Sequence, residues 1–125
     1  MINQLLFIAI GGAAGAMARF WVANTFDGLH AGGFPFATLG VNALGSFFIG
    51  ILYVLITERM HLHSDLRYVL MVGFLGAFTT FSTFSIESVV LLEQGYITQA
   101  VTYIIASVLL CLLACWSAIL LTRLV

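Results

Sequence analysis

The stretch GAFTTFSTFS, residues 76–85, sets two unlike kinds of side chain next to one another. Thr79, Thr80, Ser82, Thr83 and Ser85 supply five hydroxyls, and Phe78, Phe81 and Phe84 recur among them at a step of three. A hydroxyl donates a hydrogen bond in the way a hydration water does. A phenyl ring carries a positive edge and a negative face, so a ring turned edge-on attracts an anion. Together these groups can replace the water around a small anion, and the stretch therefore reads as the lining of a narrow anion path.

Other residues extend that chemistry. In TLGVNALGSFFIG, Thr38, Asn42 and Ser46 recur every four residues and make a polar stripe on one helical face. Asn42 is a buried amide that requires partners, either across a helix interface or in a wet cavity, and the second helix alone does not separate the two. Phe81, Phe84, Glu87 and Ser88 share a face of the third helix. Glu87 is the one acid well inside an apolar span, and intramembrane acids commonly belong to ion paths. Tyr103, Ser107, Cys111 and Cys115 run at steps of four along the last helix. Arg19 either snorkels from the end of the first helix or faces an anion. The inventory is rich in donors and poor in carboxylates, which suits an anion better than a cation.

The elements that must position these residues follow from composition. Of 125 residues 62% are hydrophobic and 7% charged, with no lysine, and the mean hydropathy is +1.16. Soluble domains carry about 25% charged residues, so the chain reads as an all-α integral membrane protein. A bilayer core needs about 20 apolar residues per helix, and four stretches meet that length, near 3–26, 34–57, 67–93 and 97–122. The breaks hold most of the charge: Asp27 and His30 with a Gly-Gly pair, then Glu58, Arg59, His61, His63, Asp65 and Arg67, then Glu93 and Gly95. Short loops make neighbouring helices antiparallel, and residues 1–125 form a single four-helix membrane domain.

The N-terminus, Met1-Ile2-Asn3-Gln4, lacks the basic region of a cleavable signal. Arg59, Arg67 and Arg123 collect on the side of both termini against Arg19 on the other, a slight lean towards cytoplasmic termini. So few basic residues also leave insertion in both directions open. Cys111 and Cys115 read as packing thiols in an apolar span rather than a disulfide framework.

Within the third span, Gly73 and Gly76 precede a run of β-branched and hydroxyl residues with low helix propensity. Two readings stand, a kink or an unwound turn. An unwound turn would free carbonyl oxygens near Gly76 and Thr79, and such oxygens can hold a small bare cation. Four helices fill the space between them with their own side chains, so a pore requires an oligomer, most simply a two-fold dimer.

With GGAAGAMARFW, TLGVNALGSFFIG and GFLGAFTTFSTFSIE in a four-span chain of this size, the sequence resembles the fluoride-channel family (Fluc) over essentially its whole length. The resemblance implies an antiparallel, dual-topology homodimer in the cell (inner) membrane. It implies two fluoride paths, each built from both subunits, and a structural sodium ion at the centre of the dimer. It places Phe81 and Phe84 as ring edges lining the path, Asn42 and Thr38 near the fluoride sites, and Arg19 at the vestibule mouth. Glu87, Tyr103 and Ser107 fall on a polar track beside the rings, with Ser82 and Thr83 in the same box. The Gly76 and Thr79 carbonyls fall at the sodium site. Where the family track continues with hydroxyls down the last helix, this chain has Cys111 and Cys115.

Two rivals were set against this reading. A small dual-topology proton-coupled transporter needs an acid in helix one, and there is none. A non-transporting assembly subunit explains Gly11, Gly15 and Asn42 as interhelical glue, but leaves the hydroxyl-phenyl run unexplained. An enzyme is not expected, because no loop pairs a nucleophile with a base or gathers a metal cluster. His61 and His63 read as solvated loop residues, and nucleic acid is not expected as a partner.

Overall fold

Four long helical spans account for the architecture of the computed structural model, which describes residues 1–26, 33–59 and 64–125. Asp27, His30, His61 and His63 lie outside those residues. Helix α1 is Ile2–Phe26. Helix α2 begins at Phe36, directly after Pro35, where a missing N–H is no loss. It is α-helical to Leu52 and continues with the wider π winding over Tyr53–Arg59. The third span holds two helices: α3, residues 64–78, and α4, Phe81–Glu93. Helix α3 is π-wound over Arg67–Leu75, and at the end of that stretch the Gly76 N–H reaches back five residues to the Met71 carbonyl. Helix α5 is Ile97–Leu124. There is no strand among the described residues.

The turn from α4 to α5 is a Schellman closure. The Gly95 N–H donates to the Leu92 carbonyl at 3.1 Å and the Tyr96 N–H to the Leu91 carbonyl at 2.9 Å. Gly95 takes φ +83°, the left-handed conformation that glycine adopts without a Cβ penalty. Two polar contacts tie together the ends that share a membrane face. Gln4 Nε2 donates to Tyr68 Oη at 3.2 Å, joining the start of α1 to the start of α3. Arg123 makes a two-pronged pair with Glu58, Nε to Oε2 at 3.0 Å and the terminal nitrogen to Oε1 at 2.5 Å, joining the end of α5 to the end of α2.

Packing is by backbone approach on one side and by side chains on the other. Helix α1 lies against α3, while α2 lies along α5. A Cβ at Gly11 would collide with the Val69 carbonyl and one at Gly15 with the Phe74 carbonyl, so the small-xxx-small face of α1 brings two backbones together. One core cluster joins Phe84, Leu91, Ala100 and Tyr103, and a second joins Val41, Leu75 and Phe78. The outer surface is apolar: Leu5, Ile10, Phe20, Trp21, Leu112, Trp116 and Leu120 are all exposed. A belt of that extent matches a lipid surround rather than water. With four helices long and apolar enough to cross a bilayer, this is a multi-pass membrane protein.

Candidate functional site

The helical conformation of the third span stops for two residues. Thr79 (φ −78°, ψ 157°) and Thr80 (φ −150°, ψ 117°) are extended, and helix resumes at Phe81. The local sequence accounts for the restart. Thr80 is the N-cap of α4, its Oγ1 accepting from the Thr83 N–H at 3.2 Å and donating to Thr83 Oγ1 at 3.0 Å. Ser82 Oγ lies 3.4 Å from the same Thr80 oxygen. On the other side of the gap, Thr79 Oγ1 bonds back to the Leu75 carbonyl at 2.9 Å.

Extended backbone at this depth needs partners, and Asn42 supplies them. Its Nδ2 donates to the Thr80 carbonyl at 2.9 Å while its Oδ1 accepts from the Thr80 N–H at 2.7 Å. One amide therefore satisfies both polar groups of one residue. The carboxamide carries a second N–H, which these bonds leave for another acceptor. Gly45, one turn along α2, lets the helix come this near, because a Cβ there would collide with the Thr79 methyl.

The same bonds leave two carbonyls short of donors. In a continuous helix the Thr80 N–H would close on the Gly76 carbonyl and the Thr83 N–H on the Thr79 carbonyl. Here Asn42 takes the first and the Thr80 hydroxyl takes the second. Both residues border a groove of about 430 Å³ along the outer side of the interruption. Asn42, Ser46, Thr80, Phe81, Phe84, Ser107 and Cys111 line it as well.

Above the groove a second polar knot joins three helices. Glu87 on α4 accepts from Thr38 Oγ1 of α2 at 2.8 Å and from Tyr103 Oη of α5 at 2.7 Å. Tyr103 is fully buried, and its ring sits 5.3 Å from that of Phe84. The knot and the groove thus meet at Phe84, whose ring is also 5.3 Å from Phe81. The two phenylalanines differ sharply: Phe84 is 9% exposed, whereas Phe81 is 77% exposed and stands at the groove's open side.

The structure therefore gathers Thr38, Asn42, Gly76, Thr79, Phe81, Thr83, Phe84, Glu87, Tyr103 and Ser107 around one interruption, with the exposed Ser82 at its rim. Arg19 is half-buried on α1 and does not line the groove. Thr80 was not singled out beforehand as a site residue, although it holds the centre of the hydrogen bonding. The spacing of Thr80 and Thr83, a hydroxyl residue followed three later by a polar one, is the signal of a helix start that would have found it.

The family described as CrcB-like protein, Camphor Resistance (CrcB), matches residues 6–119. This chain belongs to the CrcB family. Over 99% of this chain, a protein of Hahella chejuensis named fluoride-specific ion channel FluC is 44% identical, and 98% of that relative is covered. A protein of the same name from Saccharophagus degradans is 50% identical over 94% of this chain and 88% of its own length. The Methylococcus capsulatus protein of that name is 48% identical over 98% of this chain, which spans only 54% of that longer relative. These three relatives carry the name of an ion channel and not of an enzyme.

Proposed function

We propose that this protein is a passive, fluoride-selective channel of the cell (inner) membrane. In this reading it works as an antiparallel homodimer with two fluoride paths, and a structural sodium ion sits between the copies. The name shared by its relatives supports the substrate. The observation that carries the reading is the groove, which brings hydroxyls, an amide N–H and phenyl edges onto one open surface with no carboxylate in its lining.

Fluoride holds its water tightly, so a path must offer replacement contacts at each step without any that bind too firmly. Asn42 and Ser107 border the groove, and each carries a donor that no other bond takes, the second amide hydrogen and the Ser107 hydroxyl. Phe81 and Phe84 offer ring edges between them. At the knot, Thr38 and Tyr103 donate to the two carboxyl oxygens of Glu87. Each hydroxyl has one proton, so it serves a passing fluoride only by turning that proton away from Glu87. Hydrofluoric acid is a weak acid that enters cells neutral and dissociates there, and a channel lets the trapped anion leave down its gradient without an energy source.

The open side supports the dimer. Phe81 is largely uncovered, and the groove's polar lining would otherwise face lipid. The residues also fit the sodium ion. The Gly76 and Thr79 carbonyls lack their helical donors, and a hard cation of this size takes oxygen ligands. Gly76 and Thr79 of each copy would hold the ion through these carbonyl oxygens, and the ion would supply the positive charge that their lost N–H donors no longer provide.

The test is efflux from liposomes holding purified protein, read with fluoride and chloride electrodes in parallel and no proton gradient. Rapid fluoride release without chloride is expected. Phe81→Ile and Phe84→Ile should each slow it by at least about tenfold, the effect of losing one charge-assisted contact, while the dimer persists. Chloride release at a comparable rate, or silence for both ions from a folded dimer, would contradict the proposal.

A further inference from the structure

Among the described residues, two buried side-chain oxygens have no hydrogen-bond partner: Gln99 Oε1 and Ser107 Oγ. Buried polar atoms are nearly always paired, so an orphan marks a place where a polar partner belongs. Both orphans lie on one stripe of α5. Residues 99, 103 and 107 are spaced by four and share a face, with Tyr103 and its bond to Glu87 between them.

Ser107 differs from several helical hydroxyls. Ser85, Ser88 and Thr122 each donate to the carbonyl four residues back, at 2.7–2.8 Å. Ser107 makes no such bond, and it borders the groove. Gln99 is its counterpart at the other end of the stripe. It is the third residue of α5, two residues after the helix leaves the Gly95 turn, and so stands at the aqueous end of the span.

We propose that Gln99 contacts fluoride at the mouth of the path, one turn outside the Thr38–Glu87–Tyr103 knot. This rests on the fluoride-channel reading and extends its polar line to the membrane surface. A carboxamide turned by 180° exchanges its oxygen for its NH2 at the same buried spot. That spot can therefore donate to an anion or accept from a water the anion still carries. A small halide that has shed part of its hydration shell requires both, and neither a phenyl edge nor a carboxylate supplies both. A packing role makes the opposite demand, since a leucine would fill the same volume and leave no orphan.

The experiment compares Gln99→Leu with the unsubstituted dimer in fluoride efflux from liposomes and in thermal unfolding in detergent. Replacing an unsatisfied buried polar group by an apolar one of similar shape is neutral or stabilising, whereas losing a donor to an ion lowers affinity by about tenfold. The expected result is an unfolding midpoint equal to or above that of the parent, with efflux at low fluoride reduced about tenfold. Gln99→Met, unbranched and of similar length, should repeat it, which guards against a leucine that disturbs packing. Efflux at the parent rate in both variants overturns the inference. So does slowed efflux with a lowered midpoint in both, because that is the signature of helix glue. Either result leaves the channel reading intact, whereas an unsubstituted dimer that releases no fluoride overturns both together.

Discussion

Asn42 uses one amide hydrogen and its oxygen on the backbone of Thr80 and borders the groove with one hydrogen uncommitted. In the proposed channel, structural partner and pore donor would be one residue, so the two sequence readings of it, glue and wet-cavity amide, need not compete. Asn42→Asp removes both amide hydrogens and sets a carboxylate against the Thr80 carbonyl. We expect fluoride efflux to fall by at least about tenfold through charge repulsion alone, with a lowered unfolding midpoint from the lost bond. Efflux electrodes together with a melting curve check this, and undiminished transport would exclude Asn42 from the path. The types of the site residues were legible in the sequence, because five hydroxyls among phenylalanines have no ordinary packing rationale. Their exposures were not. Phe81 and Phe84 share a helical face by spacing, yet one is 77% and the other 9% exposed, because Phe84 packs into the core cluster with Leu91, Ala100 and Tyr103 and Phe81 does not.

At the scale of the elements, the interruption at Thr79–Thr80 fixes where the path residues point. It separates α3 from α4, sets Phe81 and Phe84 on the first turn of a new helix, and anchors that helix with a threonine cap. Thr80→Val keeps the shape and deletes the cap. Loss of an N-cap hydroxyl costs about 1 kcal/mol. The variant should unfold at a lower temperature than the parent, with slowed fluoride efflux, and calorimetry beside the efflux assay reads both. The four spans were plain from apolar length, and their bounds shift by only a few residues in the structure: Ile2–Phe26, Phe36–Arg59, Arg67–Glu93 and Ile97–Leu124. The π winding of Tyr53–Arg59 and Arg67–Leu75 was not legible. In an all-apolar helix a slightly wider turn leaves no mark on the hydrophobic pattern, and the close backbone contact at Gly11 and Gly15 is set by packing that no single span encodes.

For the whole molecule, the apolar surface says membrane, and the open groove is what supports the proposal that a second copy completes the path. The contacts Gln4–Tyr68 and Glu58–Arg123 put both termini on one face of the chain. The arginines lean towards a single orientation, whereas an antiparallel dimer requires both. A single accessible thiol distinguishes them. In a Cys111→Ser, Cys115→Ser background, Gln94→Cys places a thiol in the turn between α4 and α5. A membrane-impermeant maleimide should then label a substantial fraction from each side of sealed vesicles. Labelling from one side alone would exclude antiparallel assembly.

The carbonyls of Gly76 and Thr79 carry a lesson about how a binding site can be written. Among the described residues no three His, Cys, Asp or Glu side chains gather in a way that could hold a metal. What distinguishes these two oxygens is the withdrawal of their ordinary partners, by an asparagine from the neighbouring span and a hydroxyl from the next residue. The proposed ion site would thus be encoded by subtraction. Substitutions that never touch the ion would abolish it, and only a census of missing donors reveals it.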